Sequence, residues 1–178
     1  MKGQKITHVI HFELNGGKPR LKKDSSVFED QVVEHEKKVK EPNTKPEKKS
    51  FEFLGWYDDK DFNNKYDFKT RITEDKTLYA CWGHQINLSA TVNGKYEFGA
   101  GYVGCKGVTN LFGMMSFTRP ANKEVTIVCR PEEGYDFIGW VPKGKSASKK
   151  ENIVSTELSY SFILEEPVNY NAELKKHS

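Results

Sequence analysis

Apolar and polar residues alternate with a period of two along much of this chain, the signature of half-buried β-strands. From Ile6 to Leu14, the residues Ile6, His8, Ile10, Phe12 and Leu14 fall on one face, and Thr7, Val9, His11 and Glu13 on the other. The run stops at Asn15-Gly16-Gly17, residues that tolerate the positive φ of a tight turn. Further strands are predicted at Val27–Val33 (a strand or turn-strand), Phe51–Tyr57 and Thr77–Trp82. The second half repeats the habit. Ile86–Val92 alternates, Asn93-Gly94 marks a hairpin, and Lys95–Phe98 should pair back. Strands are predicted again at Glu124–Cys129, Tyr135–Val141, Ser159–Leu164 and Tyr170–Leu174. The helical signal is slight: a single turn is expected after Pro46, where a proline precedes Glu47.

One strand pattern occurs twice. Phe53-Leu54-Gly55-Trp56-Tyr57 is echoed by Phe137-Ile138-Gly139-Trp140, with Trp56 and Trp140 84 residues apart. Plain alternation puts Phe51, Phe53, Gly55 and Tyr57 on one face, and Glu52, Leu54 and Trp56 on the other. Glycine inside a strand implies close approach of another backbone or ring, and the neighbouring Trp56 is the ring expected over Gly55. A motif that recurs once per half is what each half packs around. Phe53, Gly55, Trp56, Phe137, Gly139 and Trp140 are therefore assigned a structural role.

Composition narrows the functional classes. The chain has 178 residues, 28 basic and 25 acidic, with a net charge of +3. Lys37, Lys38, Lys40, Lys45, Lys48 and Lys49 are interrupted by Glu41, Pro42, Pro46 and Glu47, which reads as a solvated segment rather than a nucleic-acid face. No apolar run approaches a membrane span. The first residues carry charge without an apolar stretch behind them, so no signal peptide is visible; the expectation is either a cytosolic protein or a fragment whose signal and anchor are left out. Cys81, Cys105 and Cys129 form no Cys-x-x-Cys pair and sit in strand-like runs. They read as small buried hydrophobes, with a Cys105–Cys129 disulfide as the alternative.

Several blocks together carry a resemblance. Phe12-Glu13-Leu14-Asn15-Gly16-Gly17, Phe53-Leu54-Gly55-Trp56-Tyr57, Tyr66-Asp67-Phe68 and Thr77-Leu78-Tyr79-Ala80-Cys81-Trp82 occur in the order of the Listeria–Bacteroides repeat, the internalin B-repeat, which they resemble over about residues 6–83. Pro19–Lys49 is longer and more charged than that pattern, and Cys81 stands where the family commonly has a polar residue. Val125-Thr126-Ile127-Val128, Pro131-Glu132-Glu133-Gly134-Tyr135-Asp136-Phe137-Ile138-Gly139-Trp140, Tyr160-Ser161-Phe162 and Asn169–Leu174 resemble the divergent B-repeat over about residues 85–175. The resemblance implies a compact β-grasp-like (ubiquitin-like) first module. It also implies an origin in large bacterial cell-surface proteins, where such repeats form stalks. Gly99–Arg119 is an insert outside that pattern.

The chemistry on offer is thin. Gly99-x-Gly101-x-x-Gly104 matches a dinucleotide fingerprint by letters, but aromatic, β-branched and further glycine residues stand where a helix would have to open. Asp59-x-Asp61-x-Asn63 with Asp67 partly matches a calcium loop, yet Asn64 and Thr70 stand where glycine and a bidentate glutamate belong. His8 and His11 project to opposite faces of one strand, which excludes a shared metal site. Cys81 and His84 lie near one another without an orienting third group in view. Tyr96, Phe98, Tyr102 and Phe112, in and beside the insert, could line a carbohydrate or protein surface.

The expectation is therefore a mostly β (α+β) chain of two tandem modules. Residues 1–83 form the β-grasp-like B-repeat, and residues 84–178 a small antiparallel divergent B-repeat. The expected role is a non-catalytic spacer or adhesion segment of a bacterial surface protein, extracellular, with a host protein or glycan as its partner class. No enzyme activity, cofactor, nucleic-acid partner or membrane insertion is expected. The alternative is a specific ligand- or calcium-binding module that uses the Gly99–Arg119 insert or the Asp59–Asp67 turn.

Overall fold

The computed structural model describes residues 5–177. The chain divides between Gly83 and His84 into two compact units, and both are built of strands.

The first unit holds β1 (Thr7–Glu13), β2 (Gln31–Glu34), β3 (Glu52–Tyr57) and the opening half of β4 (Lys76–Val92). β1 pairs antiparallel with β2 and parallel with β4, while β3 runs antiparallel along β4. The resulting sheet has the order β2-β1-β4-β3 and is mixed. Alternation is obeyed in β1: Ile10 and Phe12 are buried, and Thr7, Val9 and His11 are exposed. Ile10, Phe12, Leu78, Ala80 and Trp82 meet Phe28, Trp56, Tyr66 and Ile72 in one core.

Two local readings change. Val27 and Phe28 do not begin a strand. A seven-residue 3-10 helix, Lys22–Phe28, delivers Phe28 to the core, and β2 starts only at Gln31. The helical turn expected after Pro46 is absent as well. Glu47 instead exchanges backbone hydrogen bonds with Lys18, at 2.8 and 2.9 Å. One helical turn bears the nucleation cost and gains a single bond, so pairing with a neighbouring segment is preferred. The Asn15-Gly16-Gly17 turn forms as expected, with φ of 49° at Asn15 and 78° at Gly16. Gly17 has a different task. A Cβ there would collide with Cζ2 of Trp82, whose Nε1–H donates to the Leu14 carbonyl at 2.9 Å.

The second unit takes the remainder of β4, then β5 (Lys95–Tyr96), β6 (Gly101–Cys105), β7 (Met114–Pro120), β8 (Glu124–Pro131), β9 (Tyr135–Pro142), β10 (Ser159–Ile163) and β11 (Val168–Lys176). One sheet is laid around β4, with β11 parallel to it, β9 antiparallel to β11, and β5 and β7 also pairing with β4. The other sheet has the order β10-β8-β6 and is antiparallel throughout. Their facing residues include Ile86, Leu88 and Ala90 of β4, Val103 and Cys105 of β6, Ile127 and Cys129 of β8, and Trp140, Ala172 and Leu174. The unit is thus a small sandwich with alternating inward and outward residues. The Gly99–Arg119 insert supplies β6 and most of β7.

The Phe-x-Gly-Trp strands share one device. In β3 the pairing with β4 slips between Phe53, opposite Trp82, and Gly55, opposite Cys81. In β9 it slips so that Phe137 is opposite Leu174 and Gly139 opposite Glu173. Leu54 and Ile138 are therefore the extra residues of two β-bulges. Each bulge reverses the parity of the residues after it, so Phe and Trp, three apart, reach the same face. Their rings stand edge to face in both units, with centroids 5.5 Å apart for Phe53–Trp56 and 5.7 Å for Phe137–Trp140. Trp56 is 4% exposed and Trp140 is 0%. Burying rings of this size yields roughly 4–6 kcal/mol of transfer free energy each, as an upper bound. The ring expected over Gly55 is not there. The stem of Lys65 crosses Gly55 instead, and Ile153 with the Ser155 carbonyl crowds Gly139.

None of the three cysteines is in a disulfide, and all are buried. Cys105 pairs with Ile127, and Cys129 with Val103. The Cys105 and Cys129 thiols are therefore diagonal neighbours, at the long end of or beyond disulfide reach. Burial pushes the Cys129 thiol up to about 12.

Candidate functional site

The aromatic residues of the insert lie around β6. Tyr102 projects from the outer face of β6 opposite Arg130 of β8, whose guanidinium carbon stands 5.0 Å from the ring centroid. Phe112 exchanges backbone hydrogen bonds with Val103 at 2.8 and 3.2 Å, which holds the loop after β6 against the sheet. An open depression of about 510 Å³ results, lined by Lys106, Asn110, Phe112, Val128 and Arg130 among others. Phe112 is 54% exposed and Phe98 89%. Tyr96 lies on the bare α-carbon of Gly113, where a Cβ would meet its hydroxyl at 2.9 Å. The fold thus brings Tyr102 onto Arg130 and Phe112 into the same depression as Arg130. Tyr96 packs on the neighbouring Gly113, and Phe98 is left in solvent.

A second, polar cavity was not foreseen from the sequence. It measures about 350 Å³ and lies between the Asn93-Gly94 turn and the Gly144–Ser148 loop, with Asn171 and Glu173 in its wall. Both side chains belong to residues only 7% exposed. The Glu173 carboxylate accepts from the Thr91 hydroxyl at 2.6 Å and from the Gly94 N–H at 3.1 Å. It thereby ties the hairpin turn to β11. The sequence signal was the pair Asn171 and Glu173 on one face of a strand whose other face is Tyr170, Ala172 and Leu174. What covers that polar face is a loop far along the chain, which strand periodicity does not report.

The Asp59 turn is built around its own carboxylate. Oδ1 accepts from the N–H groups of Asp61 and Asn63 at 3.0 and 3.2 Å, and Oδ2 from that of Asn64 at 2.9 Å. These donors hold the Asp59 carboxyl below its ordinary range, with the Asn63 N–H first among them. A Ca²⁺ ion would have to compete for both oxygens. His8 and His11 do face opposite ways. His11 contacts Asp30 at 2.7 Å, and His8 meets His35. Cys81 and His84 are both buried. Among the described residues, no group of three or more His, Cys, Asp or Glu is placed to hold a metal ion.

Two repeat families match separate stretches of the chain. Residues 8–81 match the Listeria-Bacteroides repeat domain, and residues 115–177 match the divergent InlB B-repeat domain. The chain joins a Listeria-Bacteroides repeat to a divergent InlB B-repeat. The bulged Phe53–Trp56 strand lies in the first repeat and the bulged Phe137–Trp140 strand in the second. β6 and the Phe112 bridge precede the stretch matched as the divergent repeat. Repeats of these families are typical of bacterial surface proteins and are typically non-catalytic.

A relative in Evansella cellulosilytica bearing the name of a membrane protein is 32% identical over 135 residues, which are 75% of this chain and 17% of the relative. Another from that organism, named a Gly-rich membrane protein, is 31% identical over 134 residues, 75% of this chain and 13% of the relative. The two-repeat chain spans less than a fifth of either relative. Among its described residues, no helix is long and apolar enough to cross a membrane.

Proposed function

We propose that the two repeats, bounded at residues 1–83 and 84–178, form a non-catalytic spacer segment of an extracellular bacterial surface protein. The observation that carries this reading is the use made of the repeated motif. In each repeat the Phe-x-Gly-Trp strand commits its aromatic rings to the core, with Trp56 and Trp140 almost wholly buried. The strongest sequence feature is thus consumed in holding two modules together. The order β2-β1-β4-β3, with first and last strands parallel at its centre, supports a β-grasp-like first repeat.

Contact with a host protein or glycan is the finer form of this reading. It rests on Phe98, Phe112, Tyr102 and Tyr96, with Arg130 stacked on Tyr102 and lining the same depression as Phe112. Exposed rings near a cation are suited to a sugar face or an apolar side chain. Purified two-repeat chain presented to arrays of glycans and extracellular-matrix proteins separates the two forms. Saturable binding that Phe98→Ser and Phe112→Ser abolish, with the fold kept, makes the segment adhesive. Absence of saturable binding leaves it a spacer. Saturable binding indifferent to both changes removes the aromatic surface from the account. Turnover of any arrayed ligand would overturn the non-catalytic reading itself.

A further inference from the structure

His8 on β1 and His35, just beyond β2, bring two ring nitrogens face to face. His8 Nε2 lies 2.9 Å from His35 Nδ1, and the ring planes are inclined at 52°. Both residues are fixed by backbone pairing. His8 stands opposite Val33 in the β1–β2 ladder, and the His35 N–H donates to the Ile6 carbonyl at 2.9 Å. The His8 side chain is 13% exposed, whereas His35 is an exposed residue. Behind His8, its other nitrogen, Nδ1, faces Oδ1 of Asp75 at 3.7 Å. That carboxylate oxygen is itself held by the Val9 N–H at 2.8 Å.

We propose that His8 and His35 form an open surface site for a divalent transition-metal ion of the imidazole-binding class, Cu²⁺ foremost. Metal–imidazole bonds of about 2.0–2.1 Å that meet at a right angle place their nitrogens about 2.9 Å apart. The hydrogen-bonded pair stands at that separation, and its rings must turn to aim both lone pairs off the line between the nitrogens and at the ion. Right-angled nitrogen pairs belong to tetragonal Cu²⁺ and Ni²⁺ coordination, and Cu²⁺ heads the affinity order for such ligands. A tetrahedral ion needs the nitrogens further apart, which a small turn of the His35 ring also allows.

The proton inventory closes without an ionised ring. In the metal-free pair one nitrogen donates its hydrogen to the other. With the ion in place, His8 carries its proton on Nδ1, toward Asp75, and His35 carries its own on Nε2, toward water. Only the ring that was the donor changes tautomer. Asp75 then takes the orienting position that carboxylates occupy behind metal-bound imidazoles. The remaining coordination positions fall to water or to a ligand of another molecule, since no third protein ligand completes the set among the described residues. His11, on the opposite face and engaged with Asp30, is outside the site. This inference stands apart from the spacer reading, and neither depends on the other.

The test is a titration of untagged full chain with Cu²⁺, followed by calorimetry and by electron paramagnetic resonance. The expected result is one ion bound, with splitting from two imidazole nitrogens. His35→Gln, at an exposed position, keeps the fold; it should bind at least about tenfold more weakly and lose one nitrogen from the spectrum. Asp75→Asn should weaken binding by about tenfold, and His11→Gln should leave affinity and spectrum unchanged. The proposal is overturned if the His35→Gln chain binds Cu²⁺ as the wild type does. It is overturned equally if the wild type holds the ion no more tightly than free imidazole.

Discussion

Phe53 and Trp56 stand edge to face, their ring centroids 5.5 Å apart, although they lie three residues apart on one strand. In a regular strand they would point to opposite sides. The bulge at Leu54 turns them to the same side, where Trp56 also meets Phe12 at 4.9 Å and Phe28 at 6.0 Å. Trp56→Ala should therefore remove the centre of an aromatic cluster. The expected loss is about 3–5 kcal/mol, read as a fall in the urea midpoint of the first repeat. A Trp56→Ala chain of near-native stability would mean that the cluster is not what this repeat packs around.

The glycines that make the bulges should differ in how they tolerate a side chain. Gly55 has φ of 124°, and the atom nearest an added Cβ is the flexible Lys65 Cε, at 2.7 Å. At Gly139 the obstruction includes the Ser155 carbonyl oxygen, at 2.8 Å. Strain of this kind costs about 1–3 kcal/mol. Gly139→Ala should lie at or above the top of that range, because Ser155 accepts from the Trp140 N–H at 2.8 Å and cannot withdraw cheaply. Gly55→Ala should lie lower, since the lysine stem can move. Paired thermal melts of the two variants compare them directly, and a larger loss at Gly55 would contradict the assignment.

The Cys129 thiol should be silent toward alkylating reagents at about pH 8. It is buried, and its pKa is pushed up to about 12 by loss of hydration. In the unfolded chain a cysteine ionises near its ordinary value of 9.0. Between those two values the unfolded state binds fewer protons than the folded one. Stability is therefore unaffected by this group below about pH 9 and falls as pH rises toward about 12. Mass-spectrometric labelling with and without denaturant checks the first statement. A Cys129→Ala chain, whose stability should fall less over that alkaline window, checks the second.

Asp59 should show the opposite dependence. Backbone donors depress its pKa, so its charge contributes stability above the ordinary carboxylate range. That contribution is lost as pH falls through the folded-state value. Asp59→Asn keeps an oxygen acceptor for the turn and removes the charge. The difference in melting temperature between wild type and this variant should be widest near neutral pH and should narrow on acidification. A gap independent of pH would show that charge plays no part in the turn.

Much of this fold is legible in the sequence because strand periodicity is a local property. The inward faces of β1, of β4 beyond Gly83 and of β8 follow from alternation alone: Ile10 and Phe12, then Ile86, Leu88 and Ala90, then Val125, Ile127 and Cys129. The Asn93-Gly94 hairpin was equally readable, since both residues take the positive φ that a tight turn requires. The aromatic residues Tyr96, Phe98, Tyr102 and Phe112 could be named as a group. Their division into a stacked Tyr102, a groove-lining Phe112, a packed Tyr96 and a solvent-exposed Phe98 could not.

What the sequence by itself determined is most of the strands, the two repeats and the Phe-x-Gly-Trp rings each one buries, because those depend on spacing along the chain. What tertiary structure alone decided is where alternation breaks and which distant groups meet. A bulge is a mismatch between two strands, so the parity reversal at Leu54 and Ile138 exists only once β3 lies on β4 and β9 on β11. The same holds for Lys65 across Gly55, for Glu173 at Thr91, and for His8 at His35. Each is a contact between segments whose separation along the chain carries no record of their nearness in space.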